Sequence, residues 1–168
     1  MTDKRNTLSR RNFVSGLALA VAAFTCTART AFAEVLQKLE LSEEEWRQRL
    51  TPEQFRVLRK EGTERSYTSP LDKEKRSGRY HCAGCDLPLF TSEMKFESGT
   101  GWPSFYDVLP GHIETKTDYK LFLPRTEYHC ARCGGHQGHV FKDGPQPTGL
   151  RYCNNGVALR FRPTGESA

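Results

Sequence analysis

Four cysteines in two tight pairs, Cys82-Ala83-Gly84-Cys85 and Cys130-Ala131-Arg132-Cys133, constrain this chain more than any other feature. Each C-x-x-C is a turn that offers two thiolates. Two such turns supply the four ligands of a tetrahedral zinc site whose positions are all filled, which makes it structural rather than catalytic. The interval between the pairs is longer than in a compact zinc ribbon, so a metal here would clamp two hairpin-like segments together across the domain. Two disulfides are the alternative, and the redox compartment bears on the choice.

The compartment is addressed by residues 1–33. Lys4 and Arg5 precede Ser9-Arg10-Arg11-Asn12-Phe13-Val14, a twin arginine ahead of an apolar stretch, the address for bacterial export of folded proteins. The apolar run from Gly16 to Phe24 is shorter than the roughly 20 residues needed to span a bilayer. Ala31-Phe32-Ala33 offers a cleavage site, which puts the mature start near Glu34. Cys26 follows Phe24 and Thr25, too bulky for a lipidation signal. Ordinary secretion and a retained anchor are the competing readings. Export in the folded state favours zinc over disulfides, because metal can be loaded before the oxidising compartment is reached. A periplasmic or otherwise exported protein without a stable membrane anchor is expected.

The same segment accounts for the charge. The chain carries a formal +5, of which residues 1–33 hold +4, leaving about +1 for the remainder. A nearly neutral body gives no support to nucleic-acid binding.

Residues 34–168 are enough for one domain with its own core. The pattern predicts a helical lead-in over 40–62 and a β-body over 78–163. Ser42-Glu43-Glu44-Glu45 is a capping box, and Trp46 and Leu50 come after it on one helical face. Thr51-Pro52-Glu53-Gln54 restarts the helix with proline at its first position, Phe55, Val57 and Leu58 give it an apolar side, and Gly62 is a plausible stop. Lys73 to Ser77 reads as a solvated loop. Short runs then predict strands at Leu87–Phe90, Met94–Glu97, Ile113–Lys116, Tyr119–Leu123, Thr126–His129 and Val157–Phe161, the last with Val157, Leu159 and Phe161 on one face. No strand–helix–strand alternation appears, which disfavours thioredoxin-like and Rossmann folds. The expected class is mainly β: a small antiparallel body of two sheets, barrel-like, with short N-terminal helices and a four-cysteine zinc staple.

With the pairs and Cys26 set aside, Cys153 is the lone thiol. It sits in Gly149-Leu150-Arg151-Tyr152-Cys153-Asn154-Asn155-Gly156, two residues from Arg151 and downstream of His136 and His139. A thiol beside cationic and imidazole groups is poised to ionise, and the thiolate is the nucleophile.

Three segments in order resemble one family: Gly101-Trp102-Pro103-Ser104-Phe105, then His136-Gln137-Gly138-His139-Val140-Phe141, then Gly149-Leu150-Arg151-Tyr152-Cys153 with Asn155. The family is the B-class peptide methionine sulfoxide reductases, and the resemblance runs from about Leu41 to Pro163. It implies zinc at Cys82, Cys85, Cys130 and Cys133. It implies that Cys153 attacks the sulfoxide sulfur, leaving methionine and a sulfenic acid on the enzyme. By the same resemblance Arg151 favours the thiolate, His136 and His139 protonate or orient the sulfoxide oxygen, Asn155 fixes that polar network, and Trp102 packs against the substrate methyl group. The implied reaction is reduction of the R epimer in oxidised proteins or peptides, an oxidative-stress repair. It needs no flavin, nicotinamide or catalytic metal, and a monomer is expected.

One departure from the family pattern matters. Many relatives carry a cysteine just before Gly-Trp-Pro-Ser-Phe, where this chain has Thr100. Without a resolving thiol, an external dithiol, such as a thioredoxin-like protein, is expected to reduce the Cys153 sulfenic acid. Gln137, Asn154 and Gly156 also depart from common family residues. Two other functions compete with the reductase: a zinc-stapled binding module without catalysis, and disulfide exchange at the C-x-x-C pairs. The first has no need of Arg151, Cys153 and both histidines together, and the second lacks its usual βαβ setting.

Overall fold

The computed structural model describes residues 36–120 and 123–165. The twin-arginine motif, Cys26 and the expected cleavage site at Ala31–Ala33 lie outside the described residues. No helix among those described is long and apolar enough to cross a membrane.

Two short helices lead in. Helix α1 (Glu43–Arg49) starts on a reciprocal capping box: Ser42 Oγ accepts the Glu45 N–H, and the Glu45 carboxylate accepts the Ser42 N–H at 2.8 Å. Helix α2 (Pro52–Lys60) repeats the device with Thr51 and Gln54. The left-handed residue that ends α2 is Glu61, one position before the predicted stop at Gly62. Trp46, Leu50, Phe55, Val57 and Leu58 are buried. Two arginines tie the helices to the cysteine turns: Arg49 Nε donates to the Gly84 carbonyl and Arg59 Nη1 to the Cys133 carbonyl, each at 2.8 Å.

The body contains nine strands among the described residues: β1 (Gly78–Cys82), β2 (Pro88–Thr91), β3 (Lys95–Phe96), β4 (Ser104–Phe105), β5 (Ile113–Asp118), β6 (Arg125–Cys130), β7 (His136–Phe141), β8 (Arg151–Asn154) and β9 (Leu159–Pro163). They form a three-stranded sheet in the order β2-β1-β9 and a six-stranded sheet in the order β3-β4-β8-β7-β6-β5, with every pair antiparallel. Aromatic side chains join the sheets. Phe90 stacks on Phe105 with ring centroids 4.0 Å apart and Tyr80 meets Phe105 edge-on at 4.9 Å, while within the larger sheet Tyr128 meets Tyr152 edge-on at 5.5 Å. Each such pair adds of order 1 kcal/mol beyond the area it buries.

The mainly β class and the two-sheet arrangement agree with the sequence reading, but several strand boundaries shift. Of the strand expected at Tyr119–Leu123, residues 121–122 lie outside the described residues, and Tyr119 is exposed and outside any strand, because β5 ends at Asp118, whose carboxylate accepts the Lys120 N–H at 2.8 Å. Val157 lies in a 3-10 turn (Gly156–Ala158), so the alternation from Val157 to Phe161 is real only from Leu159 onward. Strands β1, β4, β7 and β8 are additions to the set expected from the pattern. Glycine, histidine, arginine and cysteine residues mask the apolar alternation in β1, β7 and β8, and β4 has only two residues, too few to show any.

Candidate active site

The cysteine pairs meet. The Sγ atoms of Cys82, Cys85, Cys130 and Cys133 all lie within 4.8 Å of one another, buried, with Cys82 to Cys133 at 3.7 Å and Cys85 to Cys130 at 3.4 Å. These are not disulfides, whose sulfurs are about 2.05 Å apart. They are close to the roughly 3.8 Å edge of a tetrahedron with metal–sulfur bonds of about 2.3 Å. The donor set and spacing therefore fit a four-coordinate metal ion. Hydrogen bonding from Cys130 drives the Cys133 thiol strongly down, while bonding among the sulfurs pushes Cys82 and Cys130 up. A cluster that shares its protons in this way needs a cation before all four thiols can ionise.

Cys153 sits apart, on the opposite side of β8 from the core. Its neighbour Tyr152 pairs with Phe105 and enters the aromatic cluster, so the alternation of a strand turns Cys153 to the other face. Cys153 is flanked across the ladder by Ser104 on β4 and His139 on β7. It lines a pocket of about 170 Å³ with Thr63, Trp102, Arg125, His139, Phe141 and Asn155. Gly138 makes this approach feasible: a Cβ there would lie 1.9 Å from the Cys153 carbonyl oxygen.

His136 and His139 are three apart, a spacing that in a regular strand puts side chains on opposite faces. A bulge in the β6–β7 ladder, where the register shifts between Tyr128 and His129, corrects this. The two rings lie 5.5 Å apart, edge to face. Each is oriented by a carboxylate. His136 Nδ1–H donates to Glu127 at 2.6 Å and His139 Nε2–H to Asp118 at 2.8 Å. Asp118 also accepts Arg125 Nη2–H at 2.7 Å. Only His139 lines the pocket; His136 is 2 % exposed and stands behind it. Burial lowers the His139 pKa against the pull of Asp118, favouring the neutral ring. Glu127 is held at about 2: burial opposes its ionisation, and the bonds from His129 and His136 outweigh that penalty.

The expectation that Cys153 is poised to ionise is corrected. Burial raises its pKa, and Arg151 offsets this only in part. The guanidinium stacks over Phe141, 4.3 Å from the ring centroid, and its Nε and Nη2 donate to the two oxygens of Asp143 at 2.9 Å each. The paired carboxylate offsets a smaller part of the field that Arg151 exerts on the sulfur. Thr100 contributes a hydrogen bond that favours the thiolate. Its hydroxyl is tied to Ser98 at 2.8 Å, and Ser98 to Ser104 at 2.7 Å.

Asn155 spends its amide on the backbone: Nδ2 donates to the Gln137 carbonyl and Oδ1 accepts the Glu64 N–H, each at 2.9 Å. Trp102 Nε1–H donates to the Glu64 carbonyl at 3.2 Å. The structure thus brings Cys153, Trp102, His139 and Asn155 to one pocket, with Arg151 and His136 in support. Residues missed in the sequence are Asp118, Arg125, Glu127, Asp143 and Glu64. The alternation Arg125-Thr126-Glu127-Tyr128-His129 is a visible trace of two of them. Gln137 stands out in the sequence only as a departure from the family pattern, yet its Nε2 lies 3.4 Å from Cys82 Sγ and its Oε1 3.4 Å from Asn154 Nδ2. It bridges the thiol cluster and the strand that carries Cys153.

A two-sheet β scaffold carries four clustered thiols and, apart from them, one thiol in an aromatic, imidazole-lined pocket, an arrangement compatible with an oxidoreductase. The SelR domain matches residues 50–163. The chain is 54% identical over 129 residues to peptide methionine sulfoxide reductase MsrB of Methanosarcina barkeri, covering 76% of this chain and 91% of that protein. It is 55% identical to the protein of that name from Pseudomonas putida, over 76% of this chain and 97% of the relative, and 51% identical to that of Agrobacterium fabrum, over 75% and 94%. The chain belongs to the SelR family, the B-class peptide methionine sulfoxide reductases.

Proposed function

We propose that this protein reduces peptide-bound methionine (R)-sulfoxide to methionine, with Cys153 as the nucleophile. The observation that carries the proposal is the position of Cys153: outside the four-sulfur cluster, in a pocket shared with Trp102 and His139. The Cys153 sulfur attacks the sulfoxide sulfur, and the oxygen passes to Cys153 as the sulfur–oxygen bond of the substrate breaks. The thiol proton ends on that oxygen, so the products are methionine and the Cys153 sulfenic acid. His139, neutral and held by Asp118, can take the thiol proton and return it to the sulfoxide oxygen. His136, Arg151 and Asn155 fix the surroundings. The Trp102 ring is an apolar, polarizable wall suited to the substrate's methyl–sulfur group, and a fixed methyl side makes discrimination between the epimers physically sensible.

A thiol raised by burial reacts through its minor thiolate form, or on losing its proton as substrate enters. An external dithiol then reduces the sulfenic acid: one thiol displaces water and the second releases Cys153 as the dithiol closes to a disulfide. With threonine at position 100, a thioredoxin-like reductant is the expected partner. Cys82, Cys85, Cys130 and Cys133 would hold one zinc ion, which supplies folding energy and takes no part in the redox step. Residues 1–33 direct the protein to an exported compartment, where exposed methionines in other proteins meet oxidants.

The test is consumption of separate R and S epimers of a methionine sulfoxide peptide by zinc-loaded protein beginning at Glu34, with a dithiol as reductant. Selective loss of the R epimer is expected. Consumption of neither by folded protein would leave a zinc-stapled binding module as the function.

A further inference from the structure

Glu64 lies in the connection between α2 and β1, yet it is bonded to both walls of the Cys153 pocket. The residue is only 5 % exposed. Its Oε1 accepts the Gly156 N–H at 2.6 Å and its Oε2 accepts the Val157 N–H at 2.9 Å. Its own N–H donates to Asn155 Oδ1 at 2.9 Å, and its carbonyl accepts Trp102 Nε1–H at 3.2 Å. Its neighbour Thr63 lines the pocket itself. Trp102 and the turn after Cys153 are therefore connected through one residue of a third segment.

The chemistry makes this more than a packing contact. An indole has a single N–H donor, so the bond to Glu64 restricts the orientation of the Trp102 ring. A carboxylate taken out of water is costly unless its oxygens are bonded, and here each oxygen meets a backbone N–H. The turn is also tightly seated: a Cβ on Gly156 would come within 1.9 Å of Ser69 Oγ and 3.3 Å of Glu64 Oε1. The side chain of Glu64 thus fixes where its own backbone lies, and that backbone holds Trp102 and Asn155.

We infer that Glu64 is a positioning residue: its carboxylate pins the 63–64 backbone to the turn after Cys153, so that Trp102 and Asn155 keep one spacing across the pocket. The substrate methyl group then meets the Trp102 ring in one orientation, and Glu64 contributes to epimer selectivity without touching substrate. This rests on the reading of Trp102 as the methyl-side wall.

Glu64→Gln keeps the volume and one acceptor but sets an amide NH2 against a backbone N–H; Glu64→Asp keeps both oxygens on a shorter stem. In zinc-loaded protein, Glu64→Gln is expected to lower kcat/KM for the R-sulfoxide peptide about 10- to 100-fold, the scale of a small misplacement at a reacting centre. The R-over-S preference should fall, and Glu64→Asp should restore part of both. The rate and pH profile of Cys153 alkylation by iodoacetamide should be unchanged. The chain has two tryptophans, so in a Trp46→Phe background the emission of Trp102 alone should become more accessible to acrylamide. The effect of Glu64→Gln should shrink once Trp102 is replaced by Phe, as coupling through that ring requires.

Unchanged kcat/KM with unchanged Trp102 quenching would overturn the inference. So would a loss that persists in full in the Trp102→Phe background, or one matched by an equal loss of Cys153 alkylation. If Glu64→Gln does not fold, the same comparisons on Glu64→Asp decide, and full activity with wild-type quenching counts against the inference. Wild-type protein that consumes neither epimer overturns the functional reading and this inference with it. Wild-type protein that consumes R beside unimpaired variants removes this inference alone.

Discussion

Arg151 and Asp143 form a two-point ion pair, Nε and Nη2 each 2.9 Å from a different carboxylate oxygen, beside the thiol that Arg151 was expected to activate. The pair keeps the guanidinium in place while drawing off part of its field, and burial then sets the direction of the Cys153 pKa. Positive charge near the sulfur is thus a geometric fixture as much as an activator.

Removing that charge should still be felt. Arg151→Ala leaves burial and the Asp143 charge opposed only by the Thr100 hydrogen bond, so the Cys153 pKa rises further. A one-unit rise lowers the thiolate fraction at neutral pH about tenfold. The rate of iodoacetamide alkylation against pH measures this directly, and an unchanged profile would show that Arg151 acts only in packing.

Thr100 lies within hydrogen-bonding reach of Cys153. Thr100→Cys is therefore expected to trap the sulfenic acid as a disulfide between position 100 and Cys153 after one turnover, detected by mass spectrometry. Wild-type protein should instead give a dimedone adduct at Cys153. An intramolecular Cys153 disulfide in the wild type would contradict reduction by an external dithiol.

Glu127 gives the protein an acid-sensitive contribution to stability. Its folded pKa of about 2 lies below the 4.5 of an ordinary glutamate, so this stability is present above about pH 4.5 and is lost as pH falls toward 2. The shift corresponds to an upper limit of about 3 kcal/mol. Urea unfolding between pH 3 and 7 should show a steeper loss in wild type than in Glu127→Gln, whose curve should be flatter in that window.

Gln137 donates toward Cys82 Sγ and meets Asn154 on its other side. Second-sphere partners of this kind alter metal affinity about 10- to 100-fold when removed. Gln137→Leu is expected to fold but to release zinc faster to a chelator, monitored with a colorimetric indicator. Complete stripping of zinc from wild type should lower Tm, because structural zinc contributes folding energy. Equal release rates would assign Gln137 to core packing alone.

Much of the molecule was legible along the chain because the signals are local. The capping box at Ser42 and Glu45 and the proline at the start of α2 act within one helical turn, and the helices form where those residues stand. The paired cysteines announced a four-thiol cluster because each turn brings two sulfurs together whatever the length of chain between the pairs. Cys153 stood out by being left over. By contrast, β7 and β8 were missed as strands, although the motifs they carry were seen. Polar and glycine residues serving the site replace the alternation that would have revealed them.

The sequence by itself determined the mainly β class, the four clustering cysteines as a set, the family and the identity of the lone thiol. Tertiary structure alone decided that a bulge in the β6–β7 ladder brings His136 and His139 together, that Asp118 and Glu127 orient them, that Asp143 draws on Arg151, and that Glu64 reaches both walls of the pocket. The physical reason is range. Caps, turns and strand alternation are set by neighbours a few residues away. The direction of a thiol's pKa and the orientation of an indole depend on burial and on hydrogen-bond partners tens of residues distant, which meet only when the sheets have closed over the core.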